Sequence, residues 1–188
     1  INEIDRAIKT LTVNPSPQRL RPDHHLKDLY TLSPEERDNN SKYMRVNHSG
    51  EVCAQALYRG QLLFNKNNKI QKNLEEAANE ELDHLAWCNS RIKELNGNTS
   101  YLNPFLYIGS FAIGSIASII DEKYNLGFLS ETEKQVSSHL ENHLNKISPN
   151  DKKTIAIIKQ MKEEEEKHEA SAKSMGAKNL PSSIQKIM

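Results

Sequence analysis

Glu81-Leu82-Asp83-His84 is the stretch that decides the reading of this chain. Residues three apart on a helix lie one above the other on one face, so this spacing sets a carboxylate beside an imidazole. The pattern returns at Glu165-Glu166-Lys167-His168. A single Glu-x-x-His carries little, because Glu is abundant and seven His are scattered along the chain. Two copies carry more when each has an antiparallel partner helix with a matching glutamate.

The sequence around them supplies four long helices. Ser33-Pro34-Glu35-Glu36 reads as a helix start: Ser33 caps, Pro34 suits the first position and Glu36 completes a capping box. That helix runs to about Asn65, where Asn65-Lys66-Asn67-Asn68 forms a polar turn. Gly50 inside it costs roughly 1 kcal/mol relative to Ala and is expected to allow close helix packing. The second helix spans about 69–95 and is ended by Asn96-Gly97. The third covers about 128–147 and the fourth about 151–175, joined at Ser148-Pro149-Asn150.

Each helix carries one inward stripe at steps of mostly three and four. The stripes are Met44, Glu51, Ala54, Tyr58; Leu74, Ala77, Glu81, His84, Cys88; Leu129, Glu133, Val136, Leu140, His143; and Ile158, Met161, Glu165, His168, Ala172. Carboxylates at core positions are costly without partners, a conflict typical of functional sites. Glu51 and Glu81 are centred on position 66, and Glu133 and Glu165 on position 149, both inside predicted turns. Residues equidistant from an antiparallel turn lie level, so each hairpin brings a Glu opposite a Glu-x-x-His.

Glu51, Glu81, His84, Glu133, Glu165 and His168 are therefore the candidate metal ligands. This is the donor supply of the di-iron or di-manganese carboxylate bundles. Zinc fits poorly without a thiolate cluster, and calcium is disfavoured by the imidazoles. Glu131 and Glu141 fall off the stripe, and Glu163, Glu164 and Glu166 read as a solvated run. His24 and His25 are expected to be exposed. His48, His139 and His143 are expected to pack or support rather than ligate. Cys53 and Cys88 have no metal-ligand spacing and read as reduced, small core residues.

At 188 residues the chain suits one domain. Twenty-five basic residues balance twenty-five acidic ones, which gives no electrostatic footprint for nucleic acid. Residues 95–120 carry no charge. The 101–120 segment, with Ser110, Gly114 and Ser118 four apart, predicts a helix lying against the bundle or dipping into a bilayer face rather than spanning it. Ile1, Ile4, Ile8 and Leu11 predict a short amphipathic helix that packs on its own domain in preference to anchoring on a membrane. Pro15, Pro17 and Pro22 make residues 13–32 an extended connector, and residues 176–188 form a tail. No signal peptide is recognisable.

Met44-Arg45-Val46-Asn47-His48-Ser49-Gly50-Glu51, continued by Cys53-Ala54-Gln55-Ala56-Leu57-Tyr58-Arg59-Gly60-Gln61, closely resembles the signature of the demethoxyubiquinone hydroxylases, the di-iron monooxygenases of ubiquinone biosynthesis. The resemblance runs from about Ser33 onward, and residues 1–32 look like the extension of bacterial members. It implies an all-α, ferritin-like four-helix bundle over 33–188, with an extra apolar helix and a short N-terminal amphipathic helix. It implies two iron ions on Glu51, Glu81, His84, Glu165 and His168, with Glu133 the best match for the remaining glutamate and Glu131 only two residues away. The implied reaction is hydroxylation of a polyprenylated demethoxyquinol with dioxygen and two electrons. The implied location is the cytoplasmic side of the inner membrane, peripherally bound. The implied partners are the quinol, the membrane surface, and a homo-oligomer or lipid-presenting protein. Two other readings share the residues: a ferritin-like iron-binding protein that oxidises Fe(II) without organic substrate, and a non-enzymatic helical membrane-binding protein.

Overall fold

The computed structural model describes residues 3–12, 17–27, 31–186 and 188; Ile1 and Pro15 lie outside them. The described residues form α1 (Glu3–Thr12), α2 (Pro34–Phe64), α3 (Asn68–Glu94), α4 (Asn103–Ile120), α5 (Glu122–Leu144), α6 (Lys152–Ser174) and α7 (Ser182–Gln185). Helices α2 and α3 make one hairpin, α5 and α6 the other, and the two pack into a four-helix bundle. No strand occurs among the described residues.

Local chemistry sets the helix ends. The Ser33 hydroxyl accepts from the Glu36 amide at 3.2 Å, and the Glu36 carboxylate accepts from the Ser33 amide at 2.8 Å, completing the capping box. The side chains of Asn67, Asp121 and Asp151 cap α3, α5 and α6. Helix α5 begins at Glu122, six residues before its expected start, because Asp121 accepts from the Lys123 and Tyr124 amides. At the end of α3 the left-handed position falls on Asn96, at φ 61°, rather than on Gly97.

The apolar stripes form two plugs, one toward each end of the bundle. Met44, Trp87, Cys88, Leu140, Ile157, Ile158 and Met161 close the end near the α5–α6 turn. Ala54, Tyr58, Leu74, Ala77, Leu129 and Ala172 close the end near the α2–α3 turn. The polar stripe residues lie between them.

Helix α4 runs along α2 in the same direction. A Cβ on Gly60 would collide with the Phe111 carbonyl oxygen, and one on Gly114 with the Leu57 carbonyl oxygen, so these glycines set the helix separation. Gly114 is thus the small residue the spacing anticipated, and its partner is Gly60. Gly50 is different: a Cβ there meets nothing within 4 Å, so close packing does not explain it. The opposite faces of α4 leave Phe105, Ile108, Ile116, Ile119 and Ile120 exposed, and 17% of the helix is buried. By length and composition α4 could cross a membrane. Ala7 and Leu11 of α1 pack against Val52, Ala56, Leu85 and Tyr107, while Ile4 and Ile8 remain exposed. The tail is tied down: the Lys178 amide donates to the Lys123 carbonyl at 2.9 Å.

At the start of α4, Asn103 accepts from the Ser49 hydroxyl at 2.8 Å and donates to His48 Nδ1 at 3.3 Å. His48 is buried, and that burial lowers its pKa to about 4. An imidazole with a depressed folded pKa stabilises the fold above its unfolded pKa, near 6.5, and the contribution is lost as pH falls toward 4. Between pH 7 and pH 4 the loss is about 3 kcal/mol. Urea titrations across that range are expected to give a steeper decline for the parent than for His48→Asn.

Candidate metal centre

The six stripe residues converge. Glu81 and Glu133 are 0% exposed, Glu51 2%, His84 0% and Glu165 1%; His168 is mostly buried. They form two overlapping quartets, Glu51–Glu81–His84–Glu165 and Glu81–Glu133–Glu165–His168, each offering donor atoms within 4.8 Å of one another. Glu81 and Glu165 belong to both, so each would be within reach of two metals. Helix α5 has the register the stripe predicted. Glu133 enters the centre, whereas Glu131 accepts from Lys134 and Gln135 near the surface.

His84 Nδ1 lies 2.9 Å from Glu81, 3.2 Å from Glu165 and 3.7 Å from Glu51. His168 Nδ1 lies 3.4 Å from Glu81 and 3.3 Å from Glu165. Both rings therefore aim Nδ1 at the shared carboxylates. Their other nitrogens are taken by a crossed pair: His84 Nε2 meets Glu164 at 2.7 Å, and His168 Nε2 meets Glu80 at 3.0 Å. In each Glu-Glu-x-x-His the leading glutamate orients the histidine of the other motif. Such carboxylate–imidazole pairs fix the tautomer and ring orientation of a metal-binding histidine.

Glu164 corrects the expectation of a solvated run: it is buried, while Glu163 and Glu166 are exposed as expected. The available signal was the repeated Glu ahead of each motif, at Glu80 and Glu164. The connector adds a feature the sequence did not announce. Arg19 donates to Glu164 at 2.5 Å and to Asp83 at 2.6 Å, so the described residues 17–27 are clipped to the bundle.

The electrostatics are those of a charge-crowded, dry site. Burial first, and the Glu81 charge second, push Glu51 well above the ordinary carboxylate range. Burial and the charge of Glu165 do the same to Glu133. Burial opposes charge on His84, yet the Glu81 charge and the hydrogen bonds to Glu164, Glu165 and Glu51 outweigh it and raise its pKa. His168 is raised likewise against burial, by hydrogen bonds to Glu165, Glu80 and Glu81. Protons thus neutralise the cluster, in the place two divalent cations would take. Glu133 Oε2 is buried without a hydrogen-bond partner, and the buried Glu81 Oε1 and Glu165 Oε1 have only the long contacts to His168 Nδ1 at 3.4 Å and His84 Nδ1 at 3.2 Å. Uncompensated acceptors of this kind, with two imidazoles and four carboxylates, fit a pair of divalent metals.

Tyr58 donates to Glu133 at 2.5 Å, and burial followed by the Glu133 charge keeps its hydroxyl protonated. Cys88 is not a ligand: burial raises its thiol, which donates to Met161 sulfur at 3.8 Å. Both cysteines are free. His143 donates to Asn47 at 2.7 Å, His48 serves Asn103, and His24, His25 and His139 are exposed, so none of the five enters the centre.

A cavity of about 380 Å³ opens beside the centre between α2, α4 and α5, walled by Val46, Cys53, Leu106, Val136 and Leu140. Gly50 and Glu51 line it too, and a Cβ on Gly50 would meet nothing within 4 Å.

Comparison with known proteins decides the family. Residues 38–188 match the family described as "Ubiquinone biosynthesis protein COQ7". The chain belongs to this family. A relative from Polynucleobacter necessarius is 47% identical over all of this chain and 90% of its own. One from Legionella pneumophila (strain Paris) is 46% identical over all of this chain and 89% of its own. One from Coxiella burnetii is 47% identical over 96% of this chain and 84% of its own. Each is named 3-demethoxyubiquinol 3-hydroxylase. The family match begins beyond the N-terminal connector, so Arg19 lies outside it.

Because Glu165 belongs to both quartets, Glu165→Ala should weaken both metal positions. The expected result is fewer than two bound metals per chain by metal analysis, with parental helical content by circular dichroism. Relief of carboxylate crowding should leave the metal-free melting temperature unchanged or slightly higher.

Proposed function

We propose that this chain is a 3-demethoxyubiquinol hydroxylase working with two iron ions. The ligands are Glu51, Glu81, His84, Glu133, Glu165 and His168. The observation that carries the reading is the cavity reaching Glu51, combined with full-length relatives of that name. A ring C–H becomes C–OH: one atom of dioxygen enters the quinol, the other leaves as water, and two electrons from a reductant and two protons are consumed. Bound iron supplies the reduction and cleavage of dioxygen.

The chain's own residues do the rest. Val46, Cys53, Leu106, Val136 and Leu140 provide apolar walls of a size suited to a quinol ring. Gly50 keeps the approach to Glu51 open. Tyr58 holds one oxygen of Glu133 and so restricts how that carboxylate turns. The plugs around Trp87 and Met161, and around Tyr58 and Leu74, keep bulk water from both ends. Leu106 stands on α4 and lines the cavity, so the exposed apolar side of α4 continues from it. That face is where a polyprenyl tail and a membrane surface would lie, consistent with a peripheral enzyme on the cytoplasmic side of the inner membrane. A homo-oligomer or a lipid-presenting protein could share it.

A ferritin-like protein that oxidises Fe(II) alone would use the same quartets but has no need of this cavity. Gly50→Leu separates the two. It should leave two metals bound and Fe(II) oxidation intact, while reducing demethoxyquinol turnover on the order of 10-fold or more by obstructing approach. A parent that oxidises Fe(II) and never a quinol would favour the iron-handling reading.

Gly114 faces α2, so a charge there damages packing and says nothing of membranes. Ile116 is 59% exposed and is the informative position. Ile116→Asp should retain the fold and turnover of a short-tailed quinol while losing sedimentation with liposomes. Unchanged liposome binding would remove α4 from the membrane contact.

A further inference from the structure

The two histidines of the centre are held unequally. Glu80, which orients His168, is a partly exposed carboxylate on the rim. Glu164, which orients His84, is buried and already enclosed by other donors. Arg19 Nη1 meets Glu164 Oε1 at 2.5 Å, Arg19 Nη2 meets Oε2 at 3.1 Å, and Gln160 donates to Oε1 at 2.7 Å. The same guanidinium reaches sideways, through Nε, to the buried Asp83 at 2.6 Å. Its carbon sits 5.0 Å over the Trp87 ring, whose centroid is 5.4 Å from that of His84. One arginine thus touches three residues of α3 and α6 that surround the outer edge of His84.

The segment carrying Arg19 has little else to hold it. Among its described residues only Asp23 is buried, and Leu20 is 75% exposed. It is fastened by polar contacts: the Gln18 amide to Asp83 at 2.6 Å, Arg21 to Glu94 at 2.6 Å, and the Arg19 fork. A planar guanidinium that grips one carboxylate with two nitrogens and a second with its third is a geometry lysine cannot reproduce.

We propose that Arg19 is a positioning residue for one of the two metal positions. Docked residues 17–27 lock Glu164, Glu164 locks the His84 ring with Nε2 outward, and Nδ1 is thereby presented to the metal. The inference rests on the metal-centre reading above. It makes the two positions unequal: the one served by His84 depends on the N-terminal segment, and the one served by His168 does not. Loss of a partner that orients a metal-bound histidine typically weakens metal affinity 10- to 100-fold.

The test is anaerobic titration of the full-length metal-free protein with Co(II), followed by the visible Co(II) absorption and by calorimetry. The parent should bind two equivalents. Arg19→Gln should weaken one of them about 10- to 100-fold and alter its absorption band, with the other unchanged. Glu80→Gln should weaken the other equivalent, and Arg19→Lys should recover only part of the loss. Parental affinities and spectrum at both positions in Arg19→Gln would overturn the proposal, even with a lowered melting temperature, and leave Arg19 a packing contact. If Arg19→Gln loses helical content, Arg19→Lys carries the comparison, and parental affinity at both positions overturns the proposal again. A parent that takes up no metal overturns the metal centre and this inference together, before any variant is made.

Discussion

Four carboxylates meet in the interior of one small bundle, and everything else answers to that crowding. Burying one carboxylate unpaired is unfavourable, and burying four within a few ångströms of each other is more so. The fold permits it in two ways. The cluster is neutralised by protons on the imidazoles and on Glu51 and Glu133, or by cations in their place. The helices that carry it are held by apolar contacts above and below, which oppose their separation. A divalent cation entering such a cluster would displace those protons.

The framing is hierarchical. Each hairpin sets the level of its own glutamate and Glu-x-x-His through its turn. The seam between hairpins then joins the two halves through the shared Glu81 and Glu165. The crossed pairs Glu164–His84 and Glu80–His168 tie α3 to α6 a second time. Outside this, α4 approaches α2 closely because Gly60 and Gly114 remove both side chains at the contact. Its remaining faces are left apolar and uncovered, beside the cavity that leads to Glu51. Helix α4 therefore supplies the apolar surface and, through Leu106, one wall of the cavity that α2 and α5 otherwise line. This is economical for an insoluble substrate with a small reactive head.

Much of this was readable in the chain, because the signals are local. Capping by Ser33 and Glu36, the turns at Asn65–Asn67 and Ser148–Asn150, and the three-residue Glu–His spacing each involve neighbours in sequence. The level of Glu51 opposite Glu81 follows from counting to a turn. Those features fix which six residues can meet, and the choice of Glu133 over Glu131 followed from the same periodicity.

What the tertiary structure decided is how neighbouring helices are rotated about one another. Glu164 is one residue from Glu165, about 100° around the helix, and an isolated stripe assigns it to solvent. It is buried because the outer edge of His84 and the connector's Arg19 occupy that side, and neither lies near it in sequence. Gly50, Gly60 and Gly114 look alike in the chain. Only their neighbours distinguish two that set a helix separation from one that borders a cavity. The sequence by itself determined the hairpins and which six side chains meet between them, because periodicity and turn position are properties of contiguous residues. The orientation of those donors depends on contacts between distant segments, and those exist only once the bundle has closed.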